Sequence, residues 1–107
     1  MANVYTNAKV DLTTTSVTTL YTAPALTTSI VNSILVSEDS GNADTITVTL
    51  TNSASVVFSL FKTKAVSANA TTELLTAPLV LQTGEVLKVT AASSNRLHVV
   101  ASILEVT

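Results

Sequence analysis

Cysteine and tryptophan are absent from the 107 residues, and glycine, proline, tyrosine and phenylalanine occur only twice each. Without thiols there is neither a disulfide framework nor a thiolate metal site, so the fold has to rest on its core. The single histidine, His98, excludes an ordinary zinc site built from one chain. Two isolated glycines, Gly41 and Gly84, shape no Walker loop or dinucleotide cradle, and no Gly-x-Ser-x-Gly elbow occurs. Tyr5, Tyr21, Phe58 and Phe61 are too sparse for the stacking platforms of sugar or single-strand binders. The expectation is a non-enzyme, with no catalytic residues, no metal ligands and no cofactor.

Charge is scarce as well. Charged residues make up 11% of the chain, against about 25% in an average domain, and the net charge is −2. Lys9, Lys62, Lys64, Lys88 and Arg96 are scattered, so no basic stripe neutralises a phosphate backbone and nucleic acid is not an expected partner. No apolar run nears the roughly 18 residues of a membrane span, and residues 1–7 carry no basic n-region, so the chain reads as soluble, with no membrane partner. About thirty serines and threonines stand where charge is missing. A free monomer keeps itself soluble through mixed surface charge, whereas a subunit that hides its exterior in permanent contacts needs less of it. The composition points to a homo-oligomer.

What is present is alternation at period two. Thr45-Ile46-Thr47-Val48-Thr49-Leu50-Thr51 sends every apolar side chain to one face and every threonine to the other, the signature of a half-buried strand. Ser29 to Val36 reads as the strand before it, joined through the turn-forming segment Ser37 to Asp44 as a hairpin with a longer loop. After Thr51, Asn52-Ser53 suits a tight turn into a strand from Ser55 to Lys62. Gly84 marks the turn before Val86 to Thr90, and Pro78 forbids a central strand position at its place. Arg96 to Val106 is the last strand, with Leu97, Val99, Ala101 and Ile103 on one side and His98, Val100, Ser102 and Leu104 on the other. Ala8 to Leu12 and Val17 to Thr22 are weaker candidates, and no helix is expected.

The chain is therefore all-β: one antiparallel β-sandwich of residues 1–107, jelly-roll-like, with six to eight strands. Residues 1–12 are expected as an extended N-terminal arm that either folds back or embraces a neighbour. Two strands are apolar on both faces, which is the pattern of a strand covered twice. A second sheet covers one face only, so Val56, Phe58, Leu60 and Phe61 on one strand, and Val100 and Leu104 on the other, are the candidates for core or oligomer contacts. Glu38, Asp39 and Asp44 gather on the first long loop. They lack the spacing of a calcium loop and read as a solvated turn.

Thr19-Leu20-Tyr21-Thr22-Ala23-Pro24, then Ile30-Val31-Asn32-Ser33-Ile34-Leu35-Val36, then Ile46 to Leu50, and later Ala77-Pro78-Leu79-Val80-Leu81-Gln82-Thr83-Gly84-Glu85-Val86-Leu87-Lys88-Val89, resemble a pattern of small structural proteins of tailed bacteriophages. The likeness covers about three quarters of the chain and rests on the order of the segments. Leu26 departs from it, standing where a glycine commonly follows the Pro-Ala pair. The resemblance implies a virion β-sandwich of the capsid cement or decoration type, trimeric, synthesised in the host cytoplasm and seated on the capsid surface against the major capsid protein or other virion proteins. A tail, baseplate or fibre module of the same virion is the alternative reading. A carbohydrate-binding adhesion module is the second.

Overall fold

A computed structural model describes residues 3–107. Nine strands and no helix form among the described residues: β1 (Asn3–Leu12), β2 (Thr18–Thr22), β3 (Thr28–Glu38), β4 (Asp44–Thr51), β5 (Val57–Val66), β6 (Thr71–Glu73), β7 (Leu79–Leu81), β8 (Val86–Ala91) and β9 (Leu97–Val106). The excess over six to eight comes from β6 and β7, three residues each, which pair with opposite ends of β3. Pro78 sets the start of β7, because it cannot donate to a ladder.

All pairings are antiparallel. One sheet runs β1-β9-β3-β6, with β7 also on β3, and the other runs β2-β8-β4-β5. Apart from the β4–β5 hairpin and the β6, β7 pair, successive strands pass back and forth between the sheets, as in a jelly roll. Leu12, Val31, Ile34, Val36, Ile46, Val48, Leu81, Leu87, Val89, Leu97, Val99 and Ile103 fill the space between, each at most 1% exposed. Branched aliphatic side chains stack well on a pleated face, and burying each contributes about 1.5–3 kcal/mol. Of the two sides of the last strand, that of Leu97, Val99, Ala101 and Ile103 is buried throughout.

Three connections differ from expectation. Ser37 to Asp44 does not close a hairpin, because β3 and β4 lie in different sheets and the loop crosses between them. The segment through Gly84 is likewise a crossover, from β7 to β8. Alternation places a strand's apolar face inward but does not choose its sheet, so both crossovers look like hairpins in the sequence. The expected tight turn at Asn52-Ser53 is a five-residue loop, in which Asn52 Oδ1 accepts the N–H groups of Ala54 and Val56 and Ser55 takes φ 65°. Without glycine the primed two-residue turn is unfavourable.

β3 alternates in two phases. Ser29 and Val31 face inward, then a bulge between Val31 and Ser33 shifts the register so that Ile34, Val36 and Glu38 do. The molecule measures 44 × 26 × 22 Å, with the strands along its length.

Candidate functional site

The two ends of the sandwich differ in chemistry. At one end lie the starts of β1 and β3, the end of β9, and the loops of residues 23–27, 52–56 and 82–85. These loops lock together: Gly84 N–H donates to the Ala23 carbonyl at 3.1 Å, Ala23 N–H donates to Glu85 at 2.9 Å, and the Thr83 hydroxyl bridges the N–H and carbonyl of Thr27. Gly84 holds φ 83°, a backbone that glycine adopts without strain. Exposed on or near this end are Val4, Tyr5, Leu26, Val56, Val57, Phe58 and Val80. Leu26 is 90% exposed and held at φ 55°, which costs an L-residue about 1–2 kcal/mol.

The opposite end is polar. Glu38, expected in a solvated turn, is buried there, and its carboxylate accepts the N–H groups of Ser40 (2.9 Å), Gly41 (3.0 Å), Asn42 (3.2 Å) and Asn69 (3.0 Å) and the Ser40 hydroxyl. Burial pushes its pKa up, but the hydrogen bonds from the Ser40 hydroxyl and from Asn69, Ser40 and Gly41 outweigh it and hold the carboxyl at about 2. The group is a clamp between two loops. Asp44, also buried, caps Thr45 and Ser93. Asp39 turns to His98, so the three carboxylates predicted to cluster serve three different structures.

His98 sits half-exposed between two acids, with Nε2 at 3.2 Å from Asp11 and Nδ1 at 3.5 Å from Asp39. Ser37 lies across the ladder from it but shares its hydroxyl with Thr71 at 3.1 Å. Both imidazole nitrogens face carboxylates, so neither is turned to the hydroxyl as a base, and this set lacks nucleophile geometry. A third polar cluster joins the sheets: Tyr21 Oη bonds Ser29 Oγ at 2.7 Å and Glu105 at 2.5 Å. Burial, with the bond to Glu105, pushes that phenol up to about 12.

The six predicted contact residues fall in two places. Val56, Phe58, Leu60 and Phe61 lie on and beside β5, the edge of the four-stranded sheet. Leu60 and Phe61 pack against the core, while Phe58 is 50% exposed although its ladder partner Leu50 is buried. The strand expected to be covered on both faces is thus an edge strand with its first residues open to solvent. Val100 and Leu104 stand on the outer face of the five-stranded sheet, within cross-strand rows. One row runs Tyr5, Leu104, Ile30, Val80, and the next apolar pair is Val100 with Leu35.

Val80 carried no outward signal, since Leu79, Val80 and Leu81 are all apolar. Leu26 was visible only as a departure from the glycine of the resembling pattern. Tyr5 carried no signal, since Val4 beside it breaks any alternation of apolar and polar residues.

Solved structures share this arrangement. A chain in the structure of infectious bursal disease virus, Gx strain, superposes on 98% of this chain with a TM-score of 0.57 at 9% identity. A chain in the structure of the Gt strain does so over 98% with a TM-score of 0.50 at 10% identity. The likeness is one of fold. This chain spans 30% of the length of each. No protein-family model and no curated protein matches the sequence.

Proposed function

We propose that the chain is a structural subunit of a viral particle that works as a homo-oligomer. The observation that carries this reading is the set of apolar side chains left outside a jelly roll whose core is already complete. Tyr5, Leu26, Val57 and Phe58 contribute little to that core, and exposed patches of this kind mark contact surfaces. The loops at that end hold one charged residue, Glu85, so little there opposes association. Jelly rolls recur in capsid and lectin domains, and the likeness to chains from a virus structure favours the first. The absence of tryptophan weighs against the glycan reading.

At finer grain the resemblance supports a trimeric cement or decoration protein of a phage head, contacting the major capsid protein. Such a subunit stabilises a shell by burying surface across junctions, and many weak attachments add through avidity. No bond chemistry is required. Size-exclusion chromatography with light scattering is expected to give an oligomer at micromolar concentration, and a monomer would remove the homo-oligomer. Quantitative mass spectrometry of purified virions separates the two virion readings, since a head protein is present in far more copies than a tail or baseplate module.

A further inference from the structure

Four borders edge the two sheets, and three of them are blunted against pairing. β2 has five residues and a register shift between Thr19 and Tyr21. β5 shifts register twice against β4, carries Lys62 and Lys64, and holds Thr63 at φ 49°. β6 and β7 have three residues each, and the gap between them is filled by the Glu73 side chain. Short strands, bulges and lysines are the usual protections of a sheet edge.

The fourth border, β1, carries Lys9 but has neither the shortness nor the register shifts of the others. It keeps unbroken register with β9 over its whole length, from Asn3 opposite Val106 to Leu12 opposite Leu97, without proline, glycine or bulge. Alternate residues of an antiparallel strand turn N–H and C=O to opposite sides, so half of the backbone groups of β1 face away from β9. No strand among the described residues pairs along that side. Asn3 to Asn7 are exposed on both faces, with Val4 on one and Tyr5 on the other.

We propose that β1 pairs edge to edge with β1 of a second copy of this chain, antiparallel about a twofold axis, merging two five-stranded sheets into one. Two features select a second copy over a foreign strand. Antiparallel pairing about a twofold is self-complementary, each copy offering what the other accepts. The apolar row Val80, Ile30, Leu104, Tyr5 ends at β1, and with the twofold near Tyr5 a second copy continues the apolar face. The inference rests on the strand edge alone and stands whether or not the chain belongs to a virion.

The cysteine-free sequence makes the contact directly readable. Tyr5→Cys, Asn7→Cys and Lys9→Cys each place one thiol along the same face of β1, and Ser94→Cys in an exposed loop is the control. Only residues near the twofold axis lie within about 5 Å of their own counterparts, which is disulfide range. One of the three is expected to form a covalent dimer on the order of 100-fold faster than Ser94→Cys, the gain of a pre-formed pair.

Proline supplies a second readout. Of Asn7→Pro and Ala8→Pro, one removes an N–H facing β9 and the other an N–H on the open edge. The second is expected to keep its circular dichroism and lose the contact by sedimentation. Equal cross-linking at all four cysteines, or a folded proline variant of unchanged mass at the open-edge position, overturns the proposal. If both proline variants unfold, the cysteine series decides.

Discussion

Leu26 and Glu38 show single residues serving opposite ends. Leu26 holds a left-handed backbone with its side chain in water, so the fold gains nothing from it. Glycine has no such penalty but loses more entropy on folding. Leu26→Gly is expected to raise stability by about 1 kcal/mol, a Tm increase of about 4–8 °C in a thermal melt. Strain retained at an exposed apolar residue points to a contact, so the same variant is expected to weaken any assembly that uses this end. Glu38 has the reverse character, since four backbone N–H groups and a hydroxyl converge on it. Its folded carboxyl titrates at about 2 against 4.5 without the fold, so acid protonates the unfolded chain first. The stability it contributes is complete above about 4.5 and is lost as pH falls towards about 2. Denaturant melts between pH 6 and 2 are expected to show this decline, and Glu38→Gln to flatten it while lowering stability at neutral pH.

Among the strands, β3 is the element on which the five-stranded sheet turns. On the side away from β9, the short β6 and β7 ladders leave residues 32–34 of β3 without a strand partner. Glu73 fills the gap: its carboxylate accepts Ile34 N–H at 2.9 Å, Leu75 N–H at 3.2 Å and the Ser33 hydroxyl, while Leu74 N–H donates to the Ile34 carbonyl at 2.9 Å. Burial raises the carboxyl's pKa, yet the bonds from Ser33, Ile34, Leu75 and Leu74 outweigh it and hold it below its ordinary value. Glu73→Ala is expected to cost about 1 kcal/mol, modest because the side chain is exposed, and to speed hydrogen exchange at Ile34 and Leu75 before the rest of β3. Unchanged exchange there would show that the carboxylate is a bystander.

The strands themselves were legible because period-two alternation places apolar side chains inward, and Gly84, which marked a turn in the sequence, holds a positive φ there. Sheet membership was not, since a crossover and a hairpin present the same turn residues. The Glu38 clamp escaped notice because its partners are mostly backbone N–H groups, three from its own loop and one brought from Asn69, far along the chain.

On the scale of the whole molecule, the sandwich is polarised along its 44 Å length. Glu38, Asp39, Asp44, Arg96 and His98 gather at one end, and Tyr5, Leu26, Val57 and Phe58 at the other. Two strands with apolar outer positions were readable from alternation, but their separation onto different sheets, and the loops that collect Leu26 beside Val56, depend on a topology that no local pattern encodes. Under the proposed virion role, a subunit polarised in this way binds its support by the apolar end and turns the charged end to water, because desolvating carboxylates and a guanidinium costs more than it returns. Hydroxyl-radical footprinting of the protein, free and on the particle that the proposed function assigns to it, measures this orientation. Tyr5, Leu26 and Phe58 are expected to lose most of their reactivity on the particle while His98 keeps it. Protection at His98 with Leu26 still reactive would reverse the orientation, and equal protection at both ends would mean that the long side of the sandwich lies on the support, which the outer row of Tyr5, Leu104, Ile30 and Val80 would then have to supply.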